Sequence, residues 1–100
     1  MVEPLDADGV RKSLATLSGW AGDTSEISRT VELPGFPAAI TVVDRVAEVA
    51  ESMDHHPDID IRWATLTFRC ATHTAGGVTD LDITLAGNIN AIIDQALASG

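Results

Sequence analysis

Positive charge is scarce in this sequence. Six Lys and Arg residues stand against 15 Asp and Glu, for a formal net charge of −9. The six (Arg11, Lys12, Arg29, Arg45, Arg62 and Arg69) are scattered along the chain. A nucleic-acid binder needs a basic stripe to neutralise phosphates. Direct binding of DNA or RNA is therefore excluded, and the acidity serves solubility. Cysteine is scarcer still. Cys70 stands alone, which excludes an intrachain disulfide and a thiolate metal site. Long apolar runs are also lacking. The stretch from Pro37 to Val43 is interrupted by Thr41 and stopped by Asp44 and Arg45, far short of the roughly 20 residues that span a bilayer. Met1 to Asp6 offers neither a basic n-region nor an apolar h-region, so no secretory signal is expected. Together these absences predict a cytoplasmic protein with no membrane partner.

What is present is a sizeable apolar fraction, 45% of 100 residues. That suits one domain, residues 1–100, with a real but thin core. Asp6 to Leu17 reads as a first helix, with Val10, Leu14 and Leu17 at helical spacing and Asp6 or Asp8 as cap. Ser18-Gly19 stops it, and Trp20 and a polar turn from Gly22 to Ser25 follow. Glu26 to Leu33 is rich in β-branched residues and reads as a strand, broken by Pro34-Gly35. Pro37 to Met53 is the clearest helix, with Ile40, Val43, Ala47, Ala50 and Met53 on one face. Pro57 ends that segment. Ile61 to Thr72 is extended with a break near Ala64, and Leu66, Phe68 and Cys70 alternate against Thr65, Thr67 and Arg69. After the Ala75-Gly76-Gly77 turn, a last helix begins at Thr79, with Ile83, Ala86, Ile89, Ile93 and Leu97 facing inward. The order predicts an α+β fold: an antiparallel sheet with helices on one face.

Three histidines occur, all in the second half. His55 and His56 adjoin at a helix end, and His73 ends a strand before a Gly-Gly turn. Rigid elements deliver side chains to site rims at such places, and imidazole is the side chain best suited to proton transfer near neutrality. A His-His pair also suits the negative end of a helix dipole without any further role. Adjacent histidines rarely converge on one ion, and no Glu-x-x-His or His-x-x-x-His spacing is present, so no metal is expected. Glu51 precedes His55 by four residues and could fix its tautomer. Thr79-Asp80-Leu81-Asp82 resembles a capping box in which Asp82 replaces the usual Glu or Gln. Trp20 and Trp63 are core or interface candidates, or stacking surfaces for a planar heterocycle. Arg29 alternates with Ile27 and Val31, and an anion or ring-edge contact is open to it.

Taken in order, the residues form a series: Glu51, three residues, His55-His56-Pro57, five residues, Trp63, nine residues, His73, eight residues, Asp82. With Ser18-Gly19-Trp20 upstream, Thr72-His73 and Gly76-Gly77-Val78-Thr79 downstream, and Leu85-Ala86 beyond, this resembles the pterin-4a-carbinolamine dehydratases over nearly the whole chain. The resemblance implies a four-stranded antiparallel sheet with three helices on one side and self-association into dimers or tetramers. It implies dehydration of 4a-hydroxytetrahydropterin to quinonoid dihydropterin, which recycles the cofactor of aromatic amino acid hydroxylases. No cofactor is needed. By position, His55, His56 and His73 match the family's catalytic histidines, and Glu51, Trp20, Asp82 and Trp63 match residues around the pterin. Thr74 and Trp63 depart from the Asp and Tyr common at those positions, and the strand from Ile27 is less aromatic than usual. Some relatives serve instead as dimerisation or assembly cofactors, which is the alternative reading.

Overall fold

In the computed structural model, which describes residues 2–99, the first helix forms where its cap lies. Asp6 is the N-cap of α1 (Ala7–Leu14), and its Oδ1 accepts the Gly9 N–H at 2.8 Å. The helix is shorter than its apolar spacing suggested. Leu17 lies beyond the end, yet it is buried, because the following turn carries it into the core. Gly19 then takes a φ of 84°, and a Cβ there would come within 2.7 Å of Arg29 Nε. Arg29 in turn donates to Asn90 Oδ1 at 2.6 Å, as does the Trp20 indole N–H at 2.7 Å. That network accounts for Arg29: it ties the segment after α1 to the last helix.

Gly22, the first residue of the predicted polar turn, pairs instead with Ala21 as β1 (Ala21–Gly22), antiparallel to β2 (Ile27–Glu32). A strand of two residues has no periodicity to read. After Pro34-Gly35 comes α2 (Phe36–Met53), then the hairpin of β3 (Asp58–Arg62) and β4 (Thr65–Cys70). Trp63, with a φ of 56°, turns that hairpin beside Ala64. A single 3-10 turn (His73–Ala75) leads to α3 (Asp80–Ser99). The sheet is wholly antiparallel, in the order β1-β2-β4-β3.

Side-chain alternation gives the sheet its two faces. Leu66, Phe68 and Cys70 on β4 are buried, and across from them lie Ile27 and Val31 of β2 and Ile59 and Ile61 of β3. The core cluster joins this face to Val10 of α1, Val42 and Val46 of α2, and Leu85, Ile89 and Ile93 of α3. Each such fully buried aliphatic contributes about 1.5–3 kcal/mol. The opposite face is polar: Thr30 and Thr67 hydroxyls meet at 2.9 Å, and Asp58 stands opposite Arg69.

Two inward stripes differ from the periodicity. On α2 the buried residues are Ala39, Val42, Val46 and Ala50; Ala47 is exposed, and Ile40, Val43 and Met53 are half-buried. The helix carries two apolar stripes about one residue apart, and packing against α3 selects the first. On α3, Leu97 is 44% exposed and Ile83 half-buried, while Leu85 joins Ala86, Ile89 and Ile93 inside.

The lone thiol is part of this core. Burial, and then the charge of Asp82, push Cys70 from its usual 9 up to about 12. An unfolded chain ionises the thiol above about pH 9, whereas the folded chain holds its proton. The unfolded state then binds fewer protons, so stability falls as pH rises from 9 towards 12. The loss should reach about 1.4 kcal/mol near pH 10. Urea midpoints between pH 8 and 11 measure it, and Cys70→Ala should remove this component of the slope.

Candidate active site

Two termini meet at one end of the sheet. Helix α2 stops because Asp54 adopts the left-handed conformation (φ 51°, ψ 43°), with its N–H on Glu51 O and the His55 N–H on Ala50 O at 3.0 Å. This is a Schellman closure built on Asp rather than Gly. It turns the chain sharply, so His55 no longer stands one helical turn from Glu51. On the facing side, β4 runs into a tight loop. Thr72 donates its N–H to Gly77 O at 3.0 Å, and the loop displays His73 and Thr74. Gly77 is pressed against the β1–β2 turn: a Cβ there would lie 2.5 Å from Thr24 O. Val78 donates its N–H to the same oxygen and accepts from the Leu5 N–H, both at 2.8 Å.

Asp82 is fully buried and lies in the first turn of α3. Its Oδ2 accepts the Thr79 N–H at 2.9 Å and the Thr72 hydroxyl at 2.8 Å, while Oδ1 lies 2.6 Å from His55 Nε2. The capping box is thus half formed. Asp82 reaches back to the Thr79 N–H, and Thr79 Oγ1 accepts from Leu81 N–H at 3.2 Å, one residue short of the usual partner. An ionised carboxylate accepts and does not donate, so opposite an ionised Asp82 the proton of this contact sits on His55 Nε2, and in the neutral ring Nδ1 is then the acceptor. His55 is only 11% exposed.

His56 is a different environment. Its Nε2 lies 2.5 Å from Glu51 Oε1, and both groups are well exposed. Glu51 therefore serves His56, not the His55 that helical spacing suggested. His73 is exposed. All three histidines line one open cleft of about 310 Å³, with Asp54, Ala71, Thr72 and Thr74. A second cleft of about 420 Å³ shares Asp54, His55, Thr72 and Thr74 with the first.

Neither tryptophan is among the residues lining these clefts. Trp20 is buried and bonded to Asn90 in the core. Trp63 is 86% exposed at the hairpin tip, the far end of β3 from Asp58. Three further residues of the site and its support were not singled out for these roles by sequence: Thr72 and Thr79, whose hydroxyls meet at 2.7 Å beneath Asp82, and Asn90. The Thr before His73 was visible, but nothing in its spacing shows what its hydroxyl touches. Among the described residues, no group of three or more His, Cys, Asp or Glu is arranged to hold a metal ion.

The comparisons agree with one another. Residues 3–92 match the family described as pterin 4 alpha carbinolamine dehydratase. A Nocardia farcinica protein provisionally named pterin-4-alpha-carbinolamine dehydratase is 53% identical over 88 residues, 88% of this chain and 93% of that one. One of the same name from Mycolicibacterium smegmatis is 48% identical over 91% of this chain and 97% of its own length. Among solved structures, a transcriptional coactivator/pterin dehydratase from Brucella melitensis superposes with a TM-score of 0.87 at 32% identity, covering 90% of this chain and 98% of that chain.

The His55–Asp82 contact makes a directional prediction. In Asp82→Asn the carbonyl oxygen should stay with its two donors, Thr72 and Thr79, so the amide NH2 faces His55. His55 Nε2 must then accept, and the ring proton moves to Nδ1. Ring 15N shifts should show this inversion of tautomer. An unchanged Nε2–H signal in the variant would contradict the assignment.

Proposed function

Because the chain belongs to the pterin 4 alpha carbinolamine dehydratase family, we propose that it converts 4a-hydroxytetrahydropterin to quinonoid dihydropterin and water by histidine acid–base catalysis. The observation that carries this reading is the convergence of three imidazoles on one cleft, with the ring of His55 fixed by a buried carboxylate. The clefts beside His55 are of the size that small ligands occupy.

The chemistry asks for one proton given and one taken. The C4a–O bond breaks as the hydroxyl takes a proton and leaves as water. The neighbouring ring nitrogen gives up its proton as its double bond to C4a forms. No electron leaves the pterin and the proton count balances, so positioned acids and bases suffice. His55 is the base: its Nδ1 lone pair faces away from Asp82, and the carboxylate stabilises the imidazolium that forms. His73 delivers the proton to the hydroxyl. His56, held by Glu51, contacts the departing oxygen. The activity belongs to tetrahydropterin recycling in the cytoplasm.

Replacing His55, His56 or His73 by Ala should each lower turnover, net of the spontaneous reaction, by about 100- to 10,000-fold. Helicity and assembly should not change in His56→Ala and His73→Ala, whereas His55→Ala also removes a partner of the buried Asp82 and should lower stability. The double variant His55→Ala/His73→Ala should be little worse than the worse single, because the groups act as a unit. Dehydration of freshly generated 4a-hydroxytetrahydropterin is the assay. Near-normal turnover in all three single variants would end the catalytic reading. We also propose self-association, supported by the exposed Trp63 and Ile61 and by a sheet face without covering helices. Sedimentation should give a multiple of 10.5 kDa; a monomer at every concentration would contradict it.

A further inference from the structure

We propose that Thr72 is a positioning residue for the dehydration: its hydroxyl, backed by Thr79, holds the Asp82 carboxylate in the one rotation that keeps His55 oriented. The inference rests on the reading of His55 as base. It concerns a residue that touches neither the base nor the reacting atoms through its hydroxyl.

The geometry leaves that hydroxyl two polar contacts. It donates to Asp82 Oδ2 at 2.8 Å and lies 2.7 Å from Thr79 Oγ1. With its single proton on the carboxylate, Thr72 must accept from Thr79. Thr79 is itself fixed, since its Oγ1 accepts the Leu81 N–H and its own N–H donates to Oδ2. The result is a directed chain from the start of α3 through two hydroxyls into one carboxylate oxygen. A carboxylate's terminal torsion is broad and roughly two-fold. Two donors on Oδ2 from different directions remove that freedom and aim Oδ1 at His55. With the Thr72 hydroxyl gone, Oδ2 keeps the Thr79 N–H alone, and the plane of the carboxylate is free to turn. His55 is the only ion-pair partner of Asp82 among the described residues.

A purely structural role is the competing account. The loop itself is closed by the Thr72 backbone, through the N–H and the carbonyl to Gly77, while the hydroxyl also ties the end of β4 to Asp82, so the test needs a readout of the His55 ring beside one of stability. The hydroxyl is not needed for that closure. The same residue therefore sets both walls of the cleft: its backbone presents His73, and its side chain orients His55.

The test uses Thr72→Val, which keeps shape and loses the hydroxyl, and Thr72→Ser, which keeps the hydroxyl. Three readouts are taken on the full chain: stability, the His55 ring N–H and 15N signals, and kcat and KM for 4a-hydroxytetrahydropterin. In Thr72→Val the protected Nε2–H signal should broaden or vanish, and kcat should fall about 10- to 100-fold with KM little changed, as expected for a misplaced catalytic group. Thr72→Ser should restore both. Where Thr72→Val does not fold, Thr72→Ala removes the hydroxyl without setting a methyl against the carboxylate and carries the same expectation. An intact His55 signal and undiminished kcat in the hydroxyl-free variant would overturn the proposal. So would Thr72→Ser being as impaired as Thr72→Val. A wild-type protein with no dehydratase activity, whose His55 signal still depends on the hydroxyl, would sink the proposed function and leave the orienting chain standing.

Discussion

A single buried carboxylate organises one end of this molecule. Asp82 is fully inaccessible, and burying a charge unpaired is prohibitively costly. It must therefore gather donors, and each donor it gathers belongs to a different part of the chain. The Thr79 N–H is an orphan of the α3 N-terminus, the Thr72 hydroxyl comes from the end of β4, and His55 comes from the turn after α2. Satisfying one group fixes three elements relative to one another. The α3 N-terminus adds a favourable field, since the partial positive end of a helix stabilises an anion in its first turn. The same requirement that holds the fold together there also leaves one imidazole nitrogen committed and the other free.

The three histidines consequently differ in kind. One is shielded and tied to a buried partner, one is exposed and paired with an exposed carboxylate, and one has an exposed ring. An exposed ion pair adds little to stability, because solvent screens it and side-chain entropy opposes it. The Glu51–His56 contact is therefore better understood as setting the direction of a ring than as holding the fold.

Much of this was legible in the sequence, and what was not has physical reasons. The antiparallel sheet, the three helices and the buried alternation on β4 follow from periodicity. The order and spacing of Glu51, His55, His56, His73 and Asp82 identified the residues that the structure brings to one end of the sheet. The pairing among them was misjudged. Spacing on an ideal helix joins Glu51 to His55, but the left-handed Asp54 ends the helix first and turns His55 towards Asp82. Helical wheels could not choose between two apolar stripes on α2, because that choice belongs to the packing with α3. Thr72, Thr79 and Asn90 act through single hydrogen bonds across long separations in sequence, or within a loop whose path no propensity encodes. Trp20 shows the reverse limit: a residue matched to a pocket by position is spent in the core, with its indole N–H satisfied by Asn90.

On the proposed mechanism, the division among the histidines also closes the proton cycle. Each turnover leaves the base with an extra proton and the acid with one fewer, although the net reaction consumes none. A base that also had to meet bulk water freely would lose the fixed orientation that makes it effective. An acid buried like His55 would reload slowly. The arrangement here separates the two demands. His55 is confined by Asp82 and lines both clefts, through which its extra proton passes to water once the product leaves, while the exposed His73 stands where water can restore the proton it gave. Placing the confined histidine on a closed helix turn and an exposed one on a loop tip is therefore a consequence of the chemistry as much as of the fold.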